Sequence, residues 1–218
     1  MICVSLRSGS CQECLKALES LDFAELRLDL MKITLADIPI LARSGKRLMA
    51  TCRPGPYSDA LRKALLLECI RCGMDLVDVE ADASEEFKTD IIGEARRRGS
   101  SVIISHHDDD QTPTRPELEA IIARSFEAGA DFVKIACRAN SASDSARLIG
   151  LLDRSQCQGR LIVVGMGVFG SITRVLAPFL GSPFTYASLE EEYKTAPGQI
   201  GYRDLARIHR DLRGILGE

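Results

Sequence analysis

The sequence predicts an α/β protein, a (β/α)8 barrel of the TIM type in one domain covering residues 1–218. Three observations predict it. Strand-like and helix-like patterns alternate along the whole chain, and alternating βα units imply a parallel sheet. There are eight such units, the number that closes a barrel. Five successive strands end on or beside a reactive polar residue, Arg27, Arg53, Glu80, His107 and Lys134, at intervals of 26, 27, 27 and 27 residues. A near-constant interval marks copies of one structural unit. A charge in an apolar run is costly to desolvate, so its recurrence at strand ends points to a shared site, and barrel sites lie at the C-terminal strand ends. No linker or low-complexity stretch divides the 218 residues, and barrels of about 200–250 residues are commonly single domains. A doubly wound open sheet is the runner-up.

The elements follow in order. ICVSLR (2–7) reads as a strand and CLKALESL (14–21) has helical spacing. FAELRLDL (23–30) alternates with the period of two of a strand. LADIPILARSG (35–45) is a short helix closed by Gly45, and glycine is the usual residue past a helix end. LMATCR (48–53) is a strand. SDALRKALLLECIRCG (58–73) is an amphipathic helix with Ser58 as N-cap. LVDVEA (76–81) is a strand. SEEFKTDIIGEARRRG (84–99) has Ser84 as cap, acids first and arginines last, which complements the helix dipole. SVIISHH (101–107) is a strand. TRPELEAIIARSFEAGA (114–130) has Thr114 as cap and Pro116 in its first turn, where proline is tolerated. DFVKIACR (131–138) is a strand, SASDSARLIGLLDRS (141–155) a helix, and LIVVGM (161–166) a strand. SITRVLAPFLG (171–181) is a short helix interrupted at Pro178. FTYAS (184–188) is the eighth strand and GYRDLARIHRDLRGIL (201–216) the last helix.

Composition narrows the function. The chain is 45% hydrophobic and 27% charged, with a net charge of −3. That is ordinary globular composition, with no argument for a nucleic-acid or membrane-surface partner. No run approaches the roughly 18 apolar residues of a membrane span. The start, MICVSLRSGS, is too short and polar for a signal peptide, so the expectation is a cytoplasmic protein. Four of the eight cysteines form two CxxC pairs, Cys11/Cys14 and Cys69/Cys72, 55 residues apart from Cys14 to Cys69. Zinc-ribbon pairs lie about 15–20 residues apart, so a shared zinc site is not expected. Cys11–Cys14 after a strand is the context of a thioredoxin-like motif, but the other signals point to different chemistry. Cys3, Cys52, Cys137 and Cys157 lie in or beside apolar runs, where cysteine acts as a small hydrophobe.

Lys134 and His107 are the chemical pair. Lys134 sits between Val133 and Ile135, and alternation points it away from both. Burial disfavours a charged amine, and a neutral amine attacks a ketone to form a Schiff base. Snorkelling to solvent is the bland alternative. His107, on the preceding strand, is a general acid/base at neutral pH. Its neighbour His106 must face the other way and is read as a helix-facing or loop residue. His209, on the last helix, is read as surface. Glu25, Arg27 and Asp29 share one face of strand two. Inside a barrel they form an ion-pair network or bind a polyhydroxylated ligand. Arg53 offers a guanidinium fork to a carboxylate or hydroxyl. Glu80 is read mainly as a structural partner of Arg53 or Lys134.

Two segments late in the chain complete the picture. Gly165-Met-Gly167-Val-Phe-Gly170 is a literal GxGxxG with Glu190 some twenty residues beyond it. That fits a dinucleotide fingerprint on paper, but too little chain follows to build a binding half. The barrel alternative is an anion site after strand seven, with Arg174 one turn into the helix adding positive charge. Tyr193–Gln199 follows strand eight where a lid would lie, and Thr195 and Gln199 are its candidate ligand hydrogen-bonders.

Taken in order, these motifs resemble type I 3-dehydroquinate dehydratases over essentially the whole chain. ELRLD (25–29) is similar to that family's E-x-R-x-D strand, TCR (51–53) to its T-x-R, SHHD (105–108) to its S-x-H-D, VKIA (133–136) to its Schiff-base lysine strand, T-R-V around Arg174 to its S-R-L, and APGQI (196–200) to its lid. The resemblance implies that Lys134 forms an imine with the C3 ketone of 3-dehydroquinate and that His107 moves the protons, with loss of water to 3-dehydroshikimate and no metal or cofactor. It implies that Arg174 holds the substrate carboxylate. Glu25, Arg27 and Arg53 would hold the ring hydroxyls, Thr195 and Gln199 would close over them, and Ser5 matches a binding serine. It also implies a role in the shikimate pathway and a tendency to form homodimers. Two positions depart from the family pattern. Thr195 stands where serine is usual, and the loop Pro54-Gly-Pro-Tyr-Ser-Asp59 lacks the E-G-G whose glutamate orients the histidine. Asp59 and Glu80 are the candidates for that task. A class I Schiff-base aldolase and a non-catalytic ligand-binding barrel are the competing readings.

Overall fold

The structure is a computed structural model that describes residues 1–7, 9–154, 157–189 and 198–217. Eight strands and eight α-helices alternate among these residues. They are β1 (Ile2–Leu6), α1 (Cys11–Leu18), β2 (Phe23–Arg27), α2 (Ile38–Ala42), β3 (Arg47–Thr51), α3 (Asp59–Arg71), β4 (Leu76–Glu80), α4 (Glu85–Arg98), β5 (Ser101–Asp108), α5 (Arg115–Glu127), β6 (Phe132–Arg138), α6 (Ala142–Gly150), β7 (Leu161–Met166), α7 (Gly167–Leu176), β8 (Thr185–Ser188) and α8 (Tyr202–Leu216). The strands form one sheet in the order β7-β6-β5-β4-β3-β2-β1-β8. Its two end strands, β7 and β8, touch each other. The fold class is the (β/α)8 barrel. Registers are parallel: Arg27 lies beside Thr51, Thr51 beside Asp78, and Glu80 beside Ser105.

The chain divides into two compact units. One comprises Met1–Val4, His106–Ile122 and Lys134–Glu218, and the other Ser5–Ser105 and Ala123–Val133. The second unit buries Leu26, Leu48, Met49, Leu66, Val77, Ile91 and Ile103, and the first buries Ile135, Leu148, Leu161, Val163, Phe184 and Leu205. Each large apolar side chain taken from water contributes about 1.5–3 kcal/mol. The strand residues are apolar on both faces apart from the polar positions near their ends, as expected for a parallel sheet covered by helices.

Three of the boundaries that differ from the sequence expectation have a clear local reason. α1 begins at Cys11 rather than Cys14, because Ser10 and Glu13 form a capping box. Glu13 accepts from the Ser10 amide at 2.6 Å, and the Ser10 hydroxyl accepts from the Glu13 amide at 3.4 Å. Together they satisfy two otherwise orphaned donors. β2 ends at Arg27, and Leu28–Leu30 turn into a 3₁₀ segment, so Asp29 leaves the strand face. α7 begins at Gly167, four residues before Ser171. Gly167, at φ +80°, makes the turn out of β7. The caps at Ser58 and Ser84 form as expected, each hydroxyl accepting from the amide three residues on.

Candidate active site

Polar side chains from β1 to β5 are wired together in the second unit. Ser5 donates to Glu25 Oε2 at 2.5 Å and Thr51 donates to Glu25 Oε1 at 2.8 Å. Both oxygens of the buried Glu25 carboxylate are thus held. Two residues beyond β3, Arg53 grips Asp78 with both ends of its fork, Nη1 to Oδ1 at 2.8 Å and Nη2 to Oδ2 at 3.0 Å. Nη1 also reaches Glu80 Oε1 at 2.5 Å and Ser105 Oγ at 2.8 Å. Ser105 in turn donates to Asp78 Oδ1 at 2.6 Å. Burial works to lower the Arg53 pKa, but Asp78 and Glu80 more than offset it and the net shift is upward. The guanidinium is therefore permanently charged and fixed in orientation, as bidentate pairing with a carboxylate dictates.

Arg27, the last residue of β2, turns its fork onto Asp29, with Nε to Oδ1 at 3.0 Å and Nη2 to Oδ2 at 2.7 Å. Burial lowers its pKa, and the Asp29 hydrogen bonds with the Glu25 charge raise it further than burial lowers it. The E-x-R-x-D spacing works because the 3₁₀ segment folds Asp29 back beside Arg27.

The two residues expected to carry the chemistry, His107 and Lys134, lie in the first unit. β5 and β6 are neighbours in the sheet. His107 lies near the end of β5, half-buried. Lys134, on β6, is 6% exposed. Its Nζ sits 4.6 Å from the centroid of the Tyr186 ring, which comes from β8. An ammonium on an aromatic face is held by the ring quadrupole, so Tyr186 fixes where Nζ stands in a site from which most water is removed. The backbone carbonyl of Tyr186 accepts from Arg174 Nη1 at 3.3 Å. Arg174 is 1% exposed and is among the largest fully buried side chains of the described residues. One residue of β8 thus contacts both the amine and the guanidinium. Gln199 is buried just before α8. The flanking chain is latched to the end of β8 by the Ser188 amide donating to the Ile200 carbonyl at 3.1 Å. Ser171 on α7 also donates to the Gly198 carbonyl at 2.9 Å.

Several expectations change. Arg174 lies in the second turn of α7, not the first, because the helix starts earlier. Of the GxGxxG glycines, Gly165 and Gly170 are packing residues and Gly167 makes the turn. A Cβ on Gly170 would lie 2.3 Å from the Gly165 carbonyl carbon, so helix and strand backbones touch there. The motif needs no nucleotide to explain it. His209 is not on the surface. It is 2% exposed, with Nε2 3.2 Å from the Arg174 carbonyl oxygen. Cys11 and Cys14 have thiol pKa values raised by burial, that of Cys14 to about 11 with Cys11 and Glu13 adding to the effect. This is opposite to a reactive CxxC, whose thiol titrates low. Asp59 is engaged by Arg62 at 2.6 Å and Glu80 by Arg53. Thr195 lies outside the described residues.

Asp78, Thr51, Ser105 and Tyr186 were not among the sequence candidates. Asp78 carried a signal, being a lone carboxylate inside the apolar run LVDVE. Tyr186 carried none, since an aromatic residue in a strand is ordinary. Among the described residues no group of three or more His, Cys, Asp or Glu is arranged to hold a metal ion.

Comparison with known proteins bears on this arrangement. The family described as Type I 3-dehydroquinase matches residues 2–215. A 3-dehydroquinate dehydratase of Methanosarcina barkeri is 33% identical over 202 residues, covering 86% of this chain and 84% of the relative. One of Desulfotalea psychrophila is 33% identical over 219 residues, covering 95% and 96%. The crystal structure of 3-dehydroquinate dehydratase from Geobacillus kaustophilus is similar with a TM-score of 0.87 at 25% identity, covering 98% of this chain and 91% of that one. With the family match running almost from end to end over the same strands that carry the lysine, the histidine and the arginines, the chain belongs to the type I 3-dehydroquinase family.

Proposed function

We propose that Lys134 is the imine-forming residue of this enzyme and His107 its general acid/base. The enzyme is a hydro-lyase of the shikimate pathway that dehydrates 3-dehydroquinate to 3-dehydroshikimate. The observation that carries the assignment is the setting of Lys134. It is a buried amine inside β6 rather than at the strand's end, held over Tyr186, whose carbonyl binds the fully buried Arg174. The amine adds to the C3 ketone and water leaves, giving a protonated imine. The imine draws electrons and acidifies the adjacent C2–H. His107 takes that proton, the C1–O bond breaks, and His107 returns the proton to the departing hydroxyl, which leaves as water. Hydrolysis of the imine frees the product and Lys134. A histidine suits both transfers because its pKa lies near neutrality. The sequence of steps uses no metal or cofactor.

Arg174 takes the substrate carboxylate. Its guanidinium is desolvated, which strengthens any charge pairing it makes. Glu25, Arg27 and Arg53 hold the ring hydroxyls, with Ser5 tuning Glu25. The ties of Arg53 to Asp78 and of Arg27 to Asp29 support this reading, since they orient both forks before substrate arrives. Gln199 and Thr195 close over the ring. The chain acts as one catalytic domain in the cytoplasm and as a homodimer. No helix among the described residues is long and apolar enough to cross a membrane.

Borohydride reduction in the presence of 3-dehydroquinate tests the assignment. Intact mass should rise by one reduced adduct, peptide mapping should place it on Lys134, and Lys134→Ala should lose both adduct and turnover. Turnover persisting in Lys134→Ala would refute the imine mechanism.

A further inference from the structure

α7 is interrupted directly behind its buried arginine. In an α-helix the carbonyl of residue 174 accepts from the amide of residue 178. That residue is Pro178, which has no N–H and opens the 3₁₀ turn Ala177–Phe179. A buried carbonyl deprived of its donor costs about 1–3 kcal/mol unless another donor replaces it. The replacement comes from α8. His209 Nε2 lies 3.2 Å from the Arg174 carbonyl oxygen. A carbonyl only accepts, so Nε2 carries the proton and the ring is held in the Nε2–H tautomer. The ring is fixed on its other side by Phe179, edge to face at 5.3 Å and 84°. Phe179 belongs to the same turn that Pro178 opens. Burial first, then the amino-terminal charge and Arg213, hold the imidazole pKa below its ordinary value against the opposing pull of the Arg174 and Val175 backbone groups, which favours the neutral donor. The turn that carries Arg174 is thus clamped from α8, while the guanidinium of Arg174 reaches the Tyr186 carbonyl beneath Lys134.

We propose that His209 is a positioning residue for Arg174: its Nε2–H replaces the backbone donor that Pro178 removes, and so fixes the turn of α7 on which Arg174 stands. The proposal rests on the reading that Arg174 holds the substrate carboxylate. The break lets α7 end early and lets Phe179 turn inward. The histidine keeps that break from loosening the arginine. A misplacement of about 1 Å in a binding group is enough to cost a large factor in a reaction.

Steady-state kinetics with 3-dehydroquinate on five variants tests it. His209→Phe keeps a ring against Phe179 but removes the donor. KM should rise roughly tenfold with kcat changed less than about threefold, the pattern of lost ground-state binding. His209→Gln keeps an N–H donor and should stay within about threefold of wild-type KM. Pro178→Ala in the His209→Phe background returns an amide at position 178 and should restore KM. Arg174→Ala should raise KM by itself, and adding His209→Phe to it should raise KM no further. A raised KM in Arg174→Ala with an unchanged KM in His209→Phe overturns the role of His209 alone. So does an equal further rise in the double variant. An unchanged KM in Arg174→Ala overturns the carboxylate reading and the positioning role with it. The tautomer is read on the wild-type enzyme by imidazole ¹⁵N NMR, which does not depend on any variant folding. An Nε2–H signal is expected, and an Nδ1–H tautomer at His209 would overturn the clamp.

Discussion

Asp78 is 1% exposed inside an apolar strand, and a lone carboxylate there would be costly to bury. It persists because Arg53 and Ser105 supply three hydrogen bonds. Removing one partner of such a pair leaves the other charge stranded. Asp78→Ala should therefore destabilise the protein by about 3 kcal/mol, read as a shift in the urea midpoint. It should also raise KM, because Arg53 loses its orientation. The two adjacent histidines give a sharper test. His107→Ala should still form the imine but turn over at least about a hundredfold slower, the size of a general acid/base contribution. His106→Ala, on the opposite side of the strand, should keep near-normal turnover. Reversed effects would move the proton-transfer role to His106. His107 was legible in the sequence from its spacing to Lys134. Tyr186 was not, because only the placement of β8 near β6 in the folded unit turns an ordinary strand tyrosine into the seat of the lysine amine.

At the scale of the element, α7 shows how one sequence pattern serves different ends. G-x-G-x-x-G in other settings makes room for a phosphate. Here the glycines make room for a strand, since the Gly170 α-carbon rests against Gly165. Gly170→Ala should force the helix off β7 and cost more than about 2 kcal/mol, measurable by thermal denaturation, with a rise in KM as Arg174 moves. Spacing alone does not separate the two uses, because both need the same absence of a side chain. α1 is the reverse case, for S-x-x-E is a local capping signal that the expected start at Cys14 overlooked, and it fixes the helix start at Cys11. His209 adds a pH dependence to the joint of α7 and α8. Its folded pKa lies below the unfolded value of about 6.5. Between those values the unfolded chain binds the proton first, so stability falls as pH drops through about 6.5. Relative to His209→Phe, wild-type stability should decline between about pH 7 and pH 5 in parallel urea titrations. A constant difference across that range would exclude titration of His209 as the cause.

For the whole molecule, eight βα units in one chain predict one cooperative body. Calorimetry should give a single transition with matching calorimetric and van't Hoff enthalpies, the signature of two-state unfolding. Two separated transitions would split the proposed single domain. Sedimentation should give twice the mass of the chain. The exposed Val168, Phe169 and Ile172 on α7 are the apolar residues to substitute first if it does. By itself the sequence determined the fold class and the order of the elements, and it supplied the candidates for the chemistry. The strand period, the helix caps and the 27-residue interval are local signals, set by backbone geometry and by where polar groups can be tolerated. The tertiary structure decided who partners whom. It gave Arg53 to Asp78, seated Lys134 on Tyr186, packed the Gly165 and Gly170 backbones together, and moved His209 from an expected surface to the joint behind Arg174. The side-chain pairings among these, Arg53–Asp78, Arg174–His209 and Lys134–Tyr186, join residues 25 to 52 positions apart. Burial, not local propensity, makes them necessary, because a polar group inside must find whichever partner the fold brings to it.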